Sequence, residues 1–279
     1  MCPTFPGWSS WSWSIPERWS TRKTLGGGST IGVWCVGNWR PVLTAQNVVV
    51  VGSSVSGMDA ALDLIGHAKT PVVSSSRGSK HPYFGDSALG HPKILRRPEI
   101  SHISPRDRTV HFSDGSTASS VDRILFGTGY LYSLPFLENV RLEGNRVNGQ
   151  YLHVVNVEDP TLTFVGMIAA GLTFKAFEWQ AVLVSRLYAG RAELPPVAEQ
   201  RQWEADRVKA RGNGAKYTAL FPDFEGYFET VRRLAGDQGP GRKLPKFDPA
   251  WVQAFNAGHQ RRIDRWRVAI EKERQKASA

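Results

Sequence analysis

The segment that most restricts the fold is Asn47-Val48-Val49-Val50-Val51-Gly52, four consecutive valines running into a glycine. The run is β-branched throughout and has no polar alternation. That is the pattern of a strand covered on both faces, as in a parallel sheet. From Val55 to His67, Met58, Ala61, Leu62 and Ile65 recur at helical spacing. Pro71-Val72-Val73-Ser74-Ser75 then reads as a second short strand. Strand, glycine turn, helix and strand in close succession form a βαβ unit. The expected fold class is therefore α/β with a Rossmann-type parallel sheet.

The turn Gly52-Ser53-Ser54-Val55-Ser56-Gly57 has the outer frame of a dinucleotide fingerprint. The first glycine permits the sharp turn, and the last lets the helix pack close to the strand. Ser54 takes the middle position, where a small residue still admits a pyrophosphate. The start of the helix offers unpaired N–H groups and the positive end of its dipole. Gly52, Ser53, Ser54, Ser56 and Gly57 are the candidate pyrophosphate residues. An NAD site places a carboxylate about 20 residues further on, to hold the ribose 2′-hydroxyl. Here that place reads Ser74-Ser75-Ser76-Arg77. A carboxylate repels a 2′-phosphate, whereas arginine and hydroxyls bind one. NADPH is thus expected over NADH, with Ser75, Ser76 and Arg77 at the 2′-phosphate. The competing reading is a Gly/Ser turn of some other α/β protein, with Arg77 a surface arginine.

Further along, Thr109-Val110-His111-Phe112 alternates into Ser113-Asp114-Gly115-Ser116, a hairpin signal for the sheet edge. Asp122-Arg123-Ile124-Leu125-Phe126 reads as another strand and ends in Gly127-Thr128-Gly129-Tyr130. His81, His91 and His111 are isolated and read as structural or surface residues.

Residues 1–45 differ in texture. Six of the ten tryptophans lie there, among Ser, Gly and Pro without a helical period. This reads as an irregular, poorly ordered leader, with an aromatic binding arm as the alternative. Beyond Arg201 the chain reads as helices: a charged one to Arg211 anchored by Trp203 and Val208, another from Glu225 to Leu234. Trp251, Phe255 and Trp266 are expected to pack on a core. The net charge of +10 is confined to the two ends, since residues 47–199 carry fourteen basic and fourteen acidic side chains. The tail is mixed in sign, which speaks against nucleic acid as the main ligand. The longest apolar stretch, Leu162 to Phe174, is too short for a membrane span. Two cysteines, Cys2 and Cys35, form no disulfide framework and no zinc site, so a cytoplasmic protein is expected.

Taken together, the Gly52–Gly57 turn, Arg77 and Phe126-Gly127-Thr128-Gly129-Tyr130 resemble the NADPH half of flavin-containing monooxygenases, the fungal members above all. Asp159 to Gly166 is similar to a late strand of that family. Phe174-Lys175-Ala176-Phe177-Glu178-Trp179-Gln180-Ala181 is similar to one of its helix starts, and Leu187-Tyr188-Ala189-Gly190 and Leu194-Pro195 continue the likeness. The resemblance covers residues 46–275. It implies FAD and NADPH as cofactors and a small molecule oxidised at nitrogen or sulfur. It divides the chain into an NADPH domain (46–130), the returning part of a FAD domain (131–200) and a helical C-terminal region (201–279). Thr128 and Gly129 would then lie between the two nucleotides, with Gly166 and Gln180 facing FAD. Glu178 reads as a capping or ion-pairing residue rather than a base. The family's FAD fingerprint has no counterpart among the 51 residues before Gly52. No catalytic residue is assigned, and the chain is expected to be a truncated member whose 131–200 region exposes apolar surface near Val165. An NADPH-binding module without monooxygenase activity and a basic interaction protein are the alternatives.

Overall fold

A computed structural model of the chain describes the backbone of residues 32–35 and residues 43–278, apart from 70, 79, 82, 170 and 215. The chain divides into two compact units. The first runs to Tyr130 and takes in Gly258–Ala279; the second is Leu131–Ala257. The expected helical region from 201 onward does not stand apart: its larger part lies in the second unit and its end in the first.

In the first unit the elements are β1 (Gly32–Cys35), β2 (Val48–Val51), α1 (Val55–Asp63), β3 (Val72–Ser75), β4 (Ile94–Arg97), β5 (Ile100–Ser104), β6 (Thr109–Phe112), β7 (Thr117–Ala118) and β8 (Arg123–Phe126). Five of these strands form one parallel sheet in the order β1-β8-β2-β3-β4. The valine run makes β2 its centre. Val48 and Val50 turn to one face and pack with Met58, Ala61 and Leu64 around α1. Val49 turns to the other and packs with Ile100, Val110 and Phe112. Those residues belong to a three-stranded antiparallel sheet, β5-β6-β7, lying across that face. Val48, Val49 and Val50 are at most 2% exposed, and each such burial stabilises the fold by about 1.5–3 kcal/mol. A strand covered on both faces favours apolar residues, which is why the run reads as it does.

Strand β1 corrects the expectation for residues 1–45. Gly32–Cys35 pairs in parallel with β8, Gly32 against Arg123 and Cys35 against Phe126. The cause is non-local: β8 offers an open edge, and local composition does not report it. The rest of the Trp-rich leader lies outside the described residues.

The second unit holds two short antiparallel ladders and helices. β9 (Leu142–Glu143) pairs with β10 (Arg146–Val147), and β11 (Gln150–Tyr151) with β12 (Val155–Asn156). They are followed by α2 (Thr173–Tyr188), α3 (Val197–Arg211), α4 (Phe224–Ala235) and the start of α5 (Pro249–Ser278). Asp223 caps α4, its carboxylate accepting from the Gly226 N–H at 3.0 Å. The core gathers Trp179, Leu183, Phe224, Phe228 and Val231, with Trp251 edge-on to Trp179. The expected late strand does not form: between 159 and 166 only Thr163 makes a single bridge, to Val155. Val165 is 48% and Phe174 88% exposed. In the first unit, Ile263 and Trp266 of α5 pack on the α1 side of the sheet. Arg262 there is paired with Asp59. Among the described residues no helix is long and apolar enough to cross a membrane.

Candidate functional site

Parallel strands deliver their C-terminal ends to one edge. Gly52 follows β2, Ser76 and Arg77 follow β3, and Gly127 and Thr128 follow β8. The chain leaves β2 toward β3 on one side and returns to β8 on the other, so the strand order reverses at β2. Open α/β sheets bind ligands in the crevice at such a reversal.

Three glycines close this point. Gly52 has φ +119°, and a Cβ there would lie 2.5 Å from the Gly127 carbonyl oxygen. A Cβ on Gly57 would lie 2.0 Å from the Gly52 oxygen, and one on Gly127 2.7 Å from the Gly57 nitrogen. Strand end, helix start and second strand end therefore touch backbone to backbone, and the Gly127 N–H donates to Val51 at 2.8 Å. The turn read from the sequence as Gly52-x-x-x-x-Gly57 has a third partner 70 residues beyond Gly57. Ser54 starts α1 in extended backbone and its side chain makes no capping bond. It is exposed, as are Ser56, Thr128 and Gly129, while Ser53 is half-buried. The first N–H groups of α1 thus stand in a setting of small side chains.

Beside this edge lies a cleft of about 460 Å³ lined by Ser76, Arg77, Gly78, Arg96, Arg97 and Glu99, among others. The Ser76 hydroxyl accepts from the Gly78 N–H at 3.3 Å. Arg77 is ion-paired with Glu99 at 2.8 Å and Arg96 with Asp86 at 3.0 Å. Three guanidinium groups against two carboxylates, Glu99 in the lining and Asp86 on Arg96, leave the cleft one positive charge in excess, which suits a phosphate. Arg96 and Arg97 were not singled out by the sequence reading. Their signal was parallel-sheet geometry: β4 is the neighbour of β3, in register Ser74 with Arg96 and Ser75 with Arg97.

Ser75 is a correction. It is fully buried, and its hydroxyl donates to the Pro98 carbonyl at 2.7 Å. It fastens β3 to the segment after β4 and does not reach the cleft. Strand alternation is the physical reason, since neighbours of a residue that faces out face in.

Gln180 is a second correction. It lies on α2 with Ala176, Trp179 and Leu183, the buried stripe of that helix, and is itself fully buried. Its Oε1 accepts from the Gly166 N–H at 2.8 Å, and its Nε2 donates to the Tyr227 hydroxyl at 2.7 Å. That hydroxyl donates onward to the Leu152 carbonyl at 2.8 Å. Burial alone pushes the Tyr227 phenol above its ordinary range. Both amide ends of Gln180 are thus committed within the second unit. Gly166, at φ +98°, is held there too, with a Cβ position 3.3 Å from the Phe177 ring. Glu178 is ion-paired with Arg242 at 2.6 Å.

The second unit also buries a histidine that the sequence reading passed over. His153 is 1% exposed and has left-handed backbone, φ +59°. Its ring meets Trp203 and Tyr217 edge-on, at 5.1 and 5.0 Å between centroids. Its Nε2 has no hydrogen-bond partner. Burial, then Arg207 and Arg146, holds it well below the usual histidine range. The neighbouring Tyr217 phenol is pushed up to about 12 by burial.

Residues 91–229 match the family described as flavin-binding monooxygenase-like. The chain is 27% identical over 247 residues to the flavin-containing monooxygenase ustF2 of Aspergillus flavus, matching 77% of this chain and 49% of that protein. It is 33% identical over 223 residues to FMO GS-OX-like 2 of Arabidopsis thaliana, matching 77% of this chain and 46% of that one. It spans about half the length of these curated relatives. Among solved structures, S-allyl-L-cysteine S-oxygenase of Allium sativum aligns with a TM-score of 0.66 at 22% identity. That alignment covers 93% of this chain and 62% of the other.

Proposed function

Across residues 91–229 the chain belongs to the flavin-binding monooxygenase-like family, and on that premise we propose that its first unit binds NADPH for a flavin-dependent oxygenation. The observation that carries the reading is the three-glycine closure at Gly52, Gly57 and Gly127, set beside an arginine-lined cleft. The open N–H groups at the start of α1 receive the pyrophosphate, with Ser53, Ser54 and Ser56 too small to obstruct it. Ser76, Arg77, Arg96 and Arg97 receive the 2′-phosphate. Thr128 and Gly129, exposed at the end of β8, border the nicotinamide side. NADPH, when bound, supplies a hydride; the residues of this chain bind and orient it. The substrate class is a small molecule with a nucleophilic sulfur or nitrogen.

FAD and NADPH are the cofactors of the family. The described residues do not fit FAD in the same way. They contain no second strand–glycine–helix unit, and Gln180 is spent on Gly166 and Tyr227. No flavin step follows from these residues. The commitment of Gln180 to Gly166 and Tyr227 supports a second reading, in which the chain is an NADPH-binding module without oxygenase activity of its own.

One pair of measurements separates the readings. Full-length chain is mixed with excess FAD and desalted, and its absorbance recorded. Retained flavin bands, with NADPH consumption on thioether or amine substrates, support the oxygenase; NADPH binding without flavin retention supports the module. Arg77→Ala is expected to weaken NADPH about tenfold, the worth of one charge-assisted contact, and NADH less than twofold. Equal weakening of both sinks the assignment of the cleft.

A further inference from the structure

The cleft that holds Arg77 also holds an anion of the protein's own. Of its lining residues only Glu99 is acidic, and its Oε2 accepts from Arg77 Nε at 2.8 Å. Glu99 is carried on a fastened segment. Its carbonyl accepts from the Ser113 N–H at 2.9 Å. Just before it, the Pro98 carbonyl accepts from the Ser75 hydroxyl at 2.7 Å, and the Arg97 carbonyl from the Ser76 N–H at 3.1 Å. The backbone that carries the carboxylate is therefore held beside the cleft.

A ribose 2′-phosphate carries close to two negative charges, as phosphate monoesters do near neutral pH. Inside this cleft it meets Arg77 already partly neutralised, and a carboxylate that repels it. A bare ribose 2′-hydroxyl meets no such opposition, because it donates to a carboxylate. We propose that Glu99 is a specificity-determining residue, an internal competitor for Arg77 that narrows the preference of the site for NADPH over NADH. The proposal rests on the cleft being the 2′-phosphate site. Its effect is modest by construction, since the two side chains are 85% and 51% exposed and exposed ion pairs are weak.

The test is binding to the full chain, read by nicotinamide fluorescence for NADPH and NADH and by calorimetry for 2′,5′-ADP and AMP. Glu99→Gln is expected to tighten NADPH and 2′,5′-ADP about two- to fivefold while NADH and AMP stay equal or weaken. The gain should shrink as salt is raised to about 0.5 M, where screening acts within about 4 Å. It should also shrink in an Arg77→Ala background, where only the direct repulsion of the phosphate by Glu99 is left. Unchanged or weaker NADPH binding by Glu99→Gln, or an equal gain for NADH and AMP, overturns the proposal. Should Glu99→Gln fail to fold, Glu99→Ser is read against the same outcomes. Failure of the unaltered chain to bind either NADPH or 2′,5′-ADP is a different result: it removes the cleft reading itself.

Discussion

Gly52 and Gly166 begin alike in the sequence, each a glycine with positive φ ahead of a helix that carries small or amide side chains. The structure separates them. At Gly52 the backbone packs against Gly57 and Gly127 and its N–H donates to the Ser75 carbonyl, while Ser54, Ser56, Thr128 and Gly129 remain in solvent. At Gly166 the reverse holds: the N–H, the Gln180 amide and the Tyr227 hydroxyl are all consumed in one buried chain ending at Leu152. A motif is a binding site only where its polar groups are left over after folding. By that measure the first region leaves its polar side chains to solvent, and the second spends its own on holding the second unit together.

The strongest way to break this contrast is at the glycines. Gly57→Ala places a methyl 2.0 Å from a backbone oxygen and should cost about 3 kcal/mol, the upper range for overpacking. Gly66→Ala is the control. It has φ +84° but nothing within 4 Å of its Cβ position, so it should cost only about 1–2 kcal/mol, the left-handed backbone penalty. Urea unfolding measures both. Equal costs would mean that the three-glycine closure is not needed.

Next in size is the buried chain. Tyr227→Phe leaves the Gln180 Nε2 and the Leu152 carbonyl without their partner. The expected loss is about 2 kcal/mol, with NADPH affinity unchanged. A loss of NADPH or flavin binding at unchanged stability would return this region to the ligand side of the comparison.

Much of the first region was legible because its signals are local. Four valines in a row have one common solution, and a glycine after them marks the turn. The remainder depends on pairings made far away. β1 exists because β8 has an open edge, and Arg96 and Arg97 enter the cleft because β4 lies beside β3. Ser75 and Gln180 were misread for another reason. Residue type favoured a ligand contact, while position favoured the core. Gln180 shares the spacing of Ala176 and Leu183, and Ser75 directly precedes the outward Ser76 and Arg77. Periodicity, weighed above residue type, identifies both.

pH sharpens the contrast from the side of the second unit. His153 is neutral when folded because burial, Arg207 and Arg146 oppose its charge. Unfolded, it takes a proton below its usual pKa of about 6.5. A depressed histidine pKa means that the unfolded state binds more protons as pH falls through that value. Stability is therefore complete above about pH 7 and falls by up to about 1.4 kcal/mol per pH unit below 6.5. His81 and His91 are lowered by burial as well and act in the same direction in the first unit. His153→Gln should remove part of the slope between about pH 6.5 and 5. An unchanged slope would show that His153 is not the group titrating.

The smallest effect falls where the two kinds of residue lie side by side. Ser75 and Ser76 are neighbours, yet only Ser76 borders the cleft. Ser75→Ala removes a hydroxyl that donates to the Pro98 carbonyl at 2.7 Å and leaves that oxygen short of a partner. The expected cost is about 1 kcal/mol, read as a lower urea midpoint. NADPH affinity should fall no more than about threefold, through loosening of the segment that carries Arg97 and Glu99. Ser76→Ala should do the opposite, with little change in the midpoint. If Ser75→Ala instead cuts NADPH affinity about tenfold at an unchanged midpoint, Ser75 is a ligand contact. The rule drawn from the two regions then fails at the position where it was applied most closely.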